Sequence, residues 1–282
     1  MWYFKKINTK ALRPALRSLS SIKENFVNTE IDNKTGIAIV KLHRKPVNAL
    51  NLQLLQELKK TIKNVEEQKC QGLILTSNIN GIFSSGLDLK ELYKPQLERL
   101  EQVYAALRDA ALTLYSSPLT TAVLINGHSP AGGCVLGICC DYRVMLSNFS
   151  IGLNETQVGV APPSFVEALF CNIVSRRTAE LALIQGKMFS TTEAFDVGLV
   201  DAIADSKEEG LHKCEKFITS LRDVNQHARI LTKLQFRKSV LEVFERERVA
   251  KKSEFVSRVM EADFQQQLDK YLESLKNKRK IE

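Results

Sequence analysis

Two glycine-bearing turns in this 282-residue chain have the residue types and placement to do chemistry: Phe83-Ser84-Ser85-Gly86-Leu87-Asp88-Leu89 and Pro130-Ala131-Gly132-Gly133-Cys134. Each directly precedes a helix-compatible stretch. The first backbone N–H groups of a helix lack intrahelical partners, and the helix dipole adds positive potential there, so such turns can hold an anion. If the two converge, their N–H groups form an oxyanion hole able to stabilise an enolate or a tetrahedral intermediate. Loss of one such donor typically costs ~10²–10³ in rate. Glycine at a strand-to-helix turn is more often steric, so neither turn carries a function alone.

Other signatures are missing from the sequence. It has no G-x-S-x-G elbow, no G-x-x-x-x-G-K-[ST] phosphate loop, no H-E-x-x-H and no EF-hand loop. The four histidines, His43, His128, His212 and His227, are scattered and form neither a metal cluster nor a triad by spacing. The six cysteines stand in apolar contexts without a C-x-x-C pair, which argues for a reducing compartment and against zinc or disulfides.

The elements that must position the two turns alternate between short apolar runs and longer helical stretches, the pattern of an α/β fold. Gly36–His43, Gly72–Thr76 and Leu119–Ile125 read as strands, with Asp141–Leu146 and Ser150–Leu153 as two more. Asn51 is placed to cap a helix whose Leu54, Leu58, Ile62 and Val65 recur at helical spacing. A long helix ends near Tyr115, and a buried one follows Gly133. Ser190 and Glu193 fit a capping box, while Gly186 and Gly198 sit where helices end. From Asn225 onward the chain is long, charged and almost free of Gly and Pro, as expected for amphipathic helices that pack on the body or on another subunit.

Net charge is +8, but six of those charges are the lysines and arginines of residues 1–23, a segment without a single acid. Basic, acid-free and tipped with serine, that segment reads as a mitochondrial transit peptide, which places the mature protein in the matrix. The small excess elsewhere lowers the case for a nucleic-acid partner. No apolar run approaches the roughly 20 residues of a membrane helix, so membrane insertion is not expected.

From about Ile31 to Ala204 the sequence resembles the enoyl-CoA hydratase/isomerase (crotonase) superfamily. The resemblance rests on four ordered pieces: Pro46–Leu50, Phe83–Leu89, Asn126–Arg143 around Ala131-Gly132-Gly133-Cys134, and Gly152–Gly159. Gly152-Leu153-Asn154-Glu155-Thr156-Gln157 is most similar to the branch of mitochondrial enzymes that shift a double bond. The resemblance implies a crotonase-like spiral of strand-strand-helix units with a C-terminal helical assembly region; with the basic leader, the expected division is a transit peptide over 1–23, a core domain over 24–224 and the helical region over 225–282. It implies an acyl-CoA thioester substrate, no cofactor because CoA is part of that substrate, no metal, and a homotrimer or dimer of trimers.

For individual residues, the resemblance implies that Glu155 is the catalytic acid/base and that the N–H groups of Leu87 and Gly132 form the oxyanion hole. Ser85, Gly86, Leu87, Asp88, Leu89, Gly132 and Asn154 would bind substrate, and Asp88 could instead orient the turn or cap the next helix. Hydratases of the superfamily carry a second glutamate just after the Gly-Gly-Cys turn, where this chain has Val135. One carboxylate suits moving a double bond, so the expected reaction is 3-enoyl-CoA, cis or trans, to trans-2-enoyl-CoA. The alternatives are another CoA-thioester enzyme of the superfamily (dienoyl-CoA isomerase, hydratase or hydrolase) or an RNA-binding member.

Overall fold

A computed structural model of the chain describes residues 25–250 and 252–278; the expected leader over 1–23 lies outside the described residues. Strand β1 (Val27–Ile31) pairs antiparallel with β2 (Ile37–Leu42). Asn51 caps α1 (Leu52–Glu67) through its side chain, which accepts from the Leu54 N–H at 3.0 Å. The expected stripe of Leu54, Leu58, Ile62 and Val65 is buried, together with Leu55.

Three strand-strand-helix units then wind as a spiral. The first is β3 (Gly72–Ser77), β4 (Gly81–Ile82), a single turn α2 (Leu89–Leu92) and the long α3 (Leu97–Tyr115). Next come β5 (Thr120–Ile125), β6 (Gly127–Pro130) and α4 (Gly132–Ile138). The third is β7 (Tyr142–Leu146), β8 (Ser150–Gly152) and the short α5 (Glu155–Val158). In each unit the first strand joins a six-stranded sheet, β1-β2-β3-β5-β7-β10, and the second joins a four-stranded sheet, β4-β6-β8-β9. All pairs are parallel except β1 with β2 and β8 with β9.

The remaining elements are α6 (Ser164–Cys171), α7 (Arg176–Gln185), β9 (Met188–Ser190), α8 (Thr191–Asp196), β10 (Ala202–Ala204) and α9 (Lys207–Ser220), followed by α10 (Gln226–Val249), α11 (Glu254–Val259) and α12 (Ala262–Lys278). The Ser190–Glu193 capping box forms, and Gly186 ends α7 in the left-handed region.

Both faces of the large sheet are covered, which is why its strands read as unbroken apolar runs. Ile74, Ala122, Leu124 and Val144 pack against Cys214 and Ile218 of α9. Leu73, Leu75, Val123 and Ile125 face the main core with α1, α3 and α4. At the edge of that core α10 is fastened by charge: Asp141 meets Lys233 and Arg237 at 2.8 Å each, and the Arg237 guanidinium lies 4.2 Å from the Tyr115 ring centre. The charged C-terminal segment therefore packs on the body of its own chain, while Leu231 and Phe236 of α10 remain exposed.

Candidate active site

The first glycine turn is held open by a one-residue parallel bridge between Leu50 and Leu87. The Leu50 N–H donates to the Gly86 carbonyl at 2.8 Å, and the Asp88 N–H donates to the Leu50 carbonyl at 3.1 Å. Alternation along an extended segment turns the intervening Leu87 N–H to the opposite side. It has no protein acceptor among the described residues. From the sequence this N–H is expected at a helix start. The structure instead sets Leu87 two residues ahead of α2, with Asp88 as the cap whose side chain accepts from the Lys90 N–H.

The second turn sits against the first. Gly86 has φ +82°, a conformation open to glycine, and a Cβ there would stand 3.0 Å from the Ala131 Cβ and 3.2 Å from the Gly132 nitrogen. A Cβ on Gly132 would stand 2.9 Å from Leu50 Cδ1 and 3.4 Å from the Leu87 nitrogen. Gly132 is the first residue of α4, so its N–H is free of intrahelical bonding. Ala131 before it holds φ +47° and ψ −120°, a strained pairing for a residue with a side chain. The Ala131 N–H donates to the Gly152 carbonyl at 2.8 Å, which ties this turn to the end of β8. The two backbone nitrogens named from the sequence therefore come close together from separate units of the spiral.

Glu155 opens α5, three residues beyond Gly152. Pro130 and Gly152 are partners in the β6–β8 pairing, so the small sheet places the carboxylate and the Gly132 turn at the same strand ends. Glu155 Oε2 is buried without a hydrogen-bond partner among the described residues. Burial pushes its pKa up to about 7, offset in part by its own backbone N–H. Of the expected apolar neighbours, Leu153 is buried and Val158 half-buried. A carboxyl poised near neutrality, with one oxygen free of protein partners among the described residues, can accept a proton and return it.

The other expected substrate residues lie along the same two segments. Ser85 is anchored by its N–H to the Val47 carbonyl at 3.0 Å, Leu87 and Leu89 are half-buried, and Asn154 precedes Glu155 without capping α5 through its side chain. The Asp88 carboxylate is committed to the Lys90 N–H and to Arg44. Val135 is buried in α4.

Sequence reasoning missed the strap that spans the site. Gln265 of α12 donates to the carbonyls of Leu92 and Val259 and accepts from the Lys94 N–H, which binds α12 to the segment just after α2. On the other side Arg258 of α11 donates to the Gly159 carbonyl at 3.3 Å, at the end of α5. No local pattern announces the contacts to Leu92, Lys94 and Gly159, because each joins positions about a hundred residues or more apart. A groove of about 600 Å³ opens beside the strap, lined by Tyr104, Val160, Pro162, Glu247 and Phe255 among others, but not by Leu87, Gly132 or Glu155.

The sequence matches the family described as enoyl-CoA hydratase/isomerase over residues 32–280. It is 38% identical over 271 residues to mitochondrial enoyl-CoA delta isomerase 1 of Mus musculus, covering 95% of this chain and 93% of that one. The protein of the same name from Homo sapiens is 36% identical over 256 residues, covering 90% and 84%. Among solved structures, human mitochondrial delta3-delta2-enoyl-CoA isomerase superposes with a TM-score of 0.86 at 36% identity, over 90% of this chain and 99% of that one. With a family match across most of its length and relatives of that similarity, the chain belongs to the enoyl-CoA hydratase/isomerase family.

Proposed function

We propose that the protein is a delta3-delta2-enoyl-CoA isomerase acting in the oxidation of unsaturated fatty acids, with Glu155 as its single acid/base. The observation that carries this mechanism is the half-buried Glu155 carboxyl, whose Oε2 is enclosed without a partner among the described residues, at the same strand ends as the neighbouring backbone nitrogens of Leu87 and Gly132. The similarity to named isomerases supports the reaction class.

The thioester oxygen of a 3-enoyl-CoA accepts from the N–H groups of Leu87 and Gly132. This withdraws electron density from C1 and acidifies C2. Glu155, as carboxylate, takes a C2 proton, and the electron pair of that C–H bond moves into a dienolate whose charge rests on the held oxygen. Glu155, now a carboxylic acid, delivers the same proton to C4. The pair returns as the C2=C3 bond of trans-2-enoyl-CoA. Because C2 and C4 are two bonds apart, one group serves both ends. The shift is redox-neutral and moves one proton, so it calls for no resident cofactor; CoA belongs to the substrate.

Hydration would need a second group to position and deprotonate water, and apolar Val135 stands where superfamily hydratases carry that glutamate. The same reading assigns the basic leader to mitochondrial import, with work in the matrix, and assigns the exposed Leu231 and Phe236 of α10 to contacts within a homotrimer or dimer of trimers. Turnover of 3-enoyl-CoA and 2-enoyl-CoA measured side by side tests the assignment. Isomerisation of the first without hydration of the second is the expected result; hydration alone, or no turnover of either, rejects it.

A further inference from the structure

Directly beside the Leu87 N–H sits a charge of the wrong sign. Asp88 is the next residue, it is only 9% exposed, and its carboxylate is carried one residue along from the N–H on which the reaction would develop an anion. Buried charges are poorly screened, so an uncompensated Asp88 would oppose the dienolate. Its Oδ2 lies 2.8 Å from Arg44 Nη2. The other tine of the same guanidinium, Nη1, donates to the Ala49 carbonyl at 2.6 Å. Ala49 and Asp88 flank opposite sides of the Leu50–Leu87 bridge, so one planar fork spans both segments that hold the oxyanion turn. Arg44 is itself fixed, its N–H donating to Asn48 Oδ1 at 2.7 Å, and Asn48 in turn donates to Ser77 Oγ and the Phe83 carbonyl. The next acid along the chain, Glu91, is matched by Arg99 at 2.6 Å, so the segment neutralises its anions one by one.

We propose that Arg44 is a positioning residue for the isomerisation: it cancels the Asp88 charge beside the oxyanion hole and holds the Leu87 N–H on the thioester oxygen. The inference rests on the isomerase reading above. Its effect falls on the charged intermediate rather than on the neutral bound substrate, so it acts on kcat more than on KM.

The test is a double-mutant cycle in the full chain, with kcat and KM measured on 3-enoyl-CoA and folding checked by circular dichroism. Arg44→Met should lower kcat by roughly 10- to 100-fold, below the usual cost of deleting an oxyanion donor, with KM within about threefold of the starting value. Asp88→Asn should lose much less, because the charge it leaves behind is positive and favours the intermediate. Arg44→Met/Asp88→Asn should recover most of the kcat lost in Arg44→Met. If Arg44→Met does not fold, Arg44→Gln, which keeps a donor for Ala49 without the charge, carries the same expectations. Equal losses in the two single variants that add in the double variant would overturn the role of the pair and leave the isomerase reading standing. Absence of 3-enoyl-CoA turnover in the unmodified protein would overturn both.

Discussion

The backbone nitrogen of Gly132 lies 3.2 Å from the point where a side chain on Gly86 would begin, so the two turns approach until no side chain fits between them. That contact joins β4's unit to β6's and brings the backbone nitrogens of Leu87 and Gly132 into one neighbourhood. Gly132→Val would drive a β-branched side chain against Leu50 Cδ1, 2.9 Å from the new Cβ, and beside the Leu87 nitrogen. Turnover should fall by about 10²–10³, the cost of a lost oxyanion donor, while overpacking costs about 1–3 kcal/mol of stability. Parallel kinetics and thermal unfolding check this; a folded variant with near-normal turnover would remove Gly132 from the oxyanion hole.

The raised pKa of Glu155 sets a pH dependence for activity. The free enzyme needs the carboxylate, so kcat/KM should climb about tenfold per pH unit up to about pH 7 and level off above it. Glu155→Asp should have at most partial activity, because one fewer methylene displaces the carboxyl from both carbons. A profile that was flat from pH 5 to 8 would contradict the assignment of Glu155 as the titrating base.

Stability should respond in the opposite direction. The folded-state pKa of Glu155 is raised from 4.5 to about 7, so between those values the native state binds more protons than the unfolded one. The favourable contribution is complete below about pH 4.5 and is lost as pH rises through 7. Glu155→Gln, which has no charge to bury, should therefore be more stable than the native sequence at pH 8, by up to roughly 3 kcal/mol, with the advantage gone near pH 4.5. Denaturant melts at the two pH values measure it.

Gln265 gives a prediction about the strap. Two of its three hydrogen bonds, at 2.9 Å to the Leu92 carbonyl and 2.7 Å from the Lys94 N–H, join α12 to the end of α2, and the third, at 2.7 Å to the Val259 carbonyl, ties α12 to α11. Gln265→Ala should cost about 1–3 kcal/mol and loosen α11 and α12 ahead of global unfolding. Amide exchange across residues 254–274 should speed up while exchange in β3 and β5 stays slow. Unchanged exchange in α12 would show that its packing alone holds the strap.

Much of this architecture was legible in local pattern. Asn51 and the Ser190–Glu193 box declare helix starts because capping is a contact across three residues, and the apolar runs of β3 and β5 declare strands buried on both faces. The edge strand β1 escaped notice because only Val27 of its five residues is buried, and β4 has just two residues. The two turns and Glu155 could be named from sequence, whereas their convergence depends on the pairing of Gly81 with Gly127 and of Pro130 with Gly152. The roles of Arg44 and Gln265 stayed hidden for the same reason: each acts on a partner that only the folded chain brings near.

The central claim is that one carboxyl group moves the proton, and Glu155→Gln tests it most directly. Glutamine keeps the size of the side chain and loses the ability to accept a proton, so 3-enoyl-CoA should still bind with KM near its native value. In single-turnover assays at pH 8 on the purified, folded variant, the rate of double-bond shift should fall by at least ~10²–10⁴. A rate within a few-fold of the native protein would contradict the account and leave the family membership as a statement about fold alone.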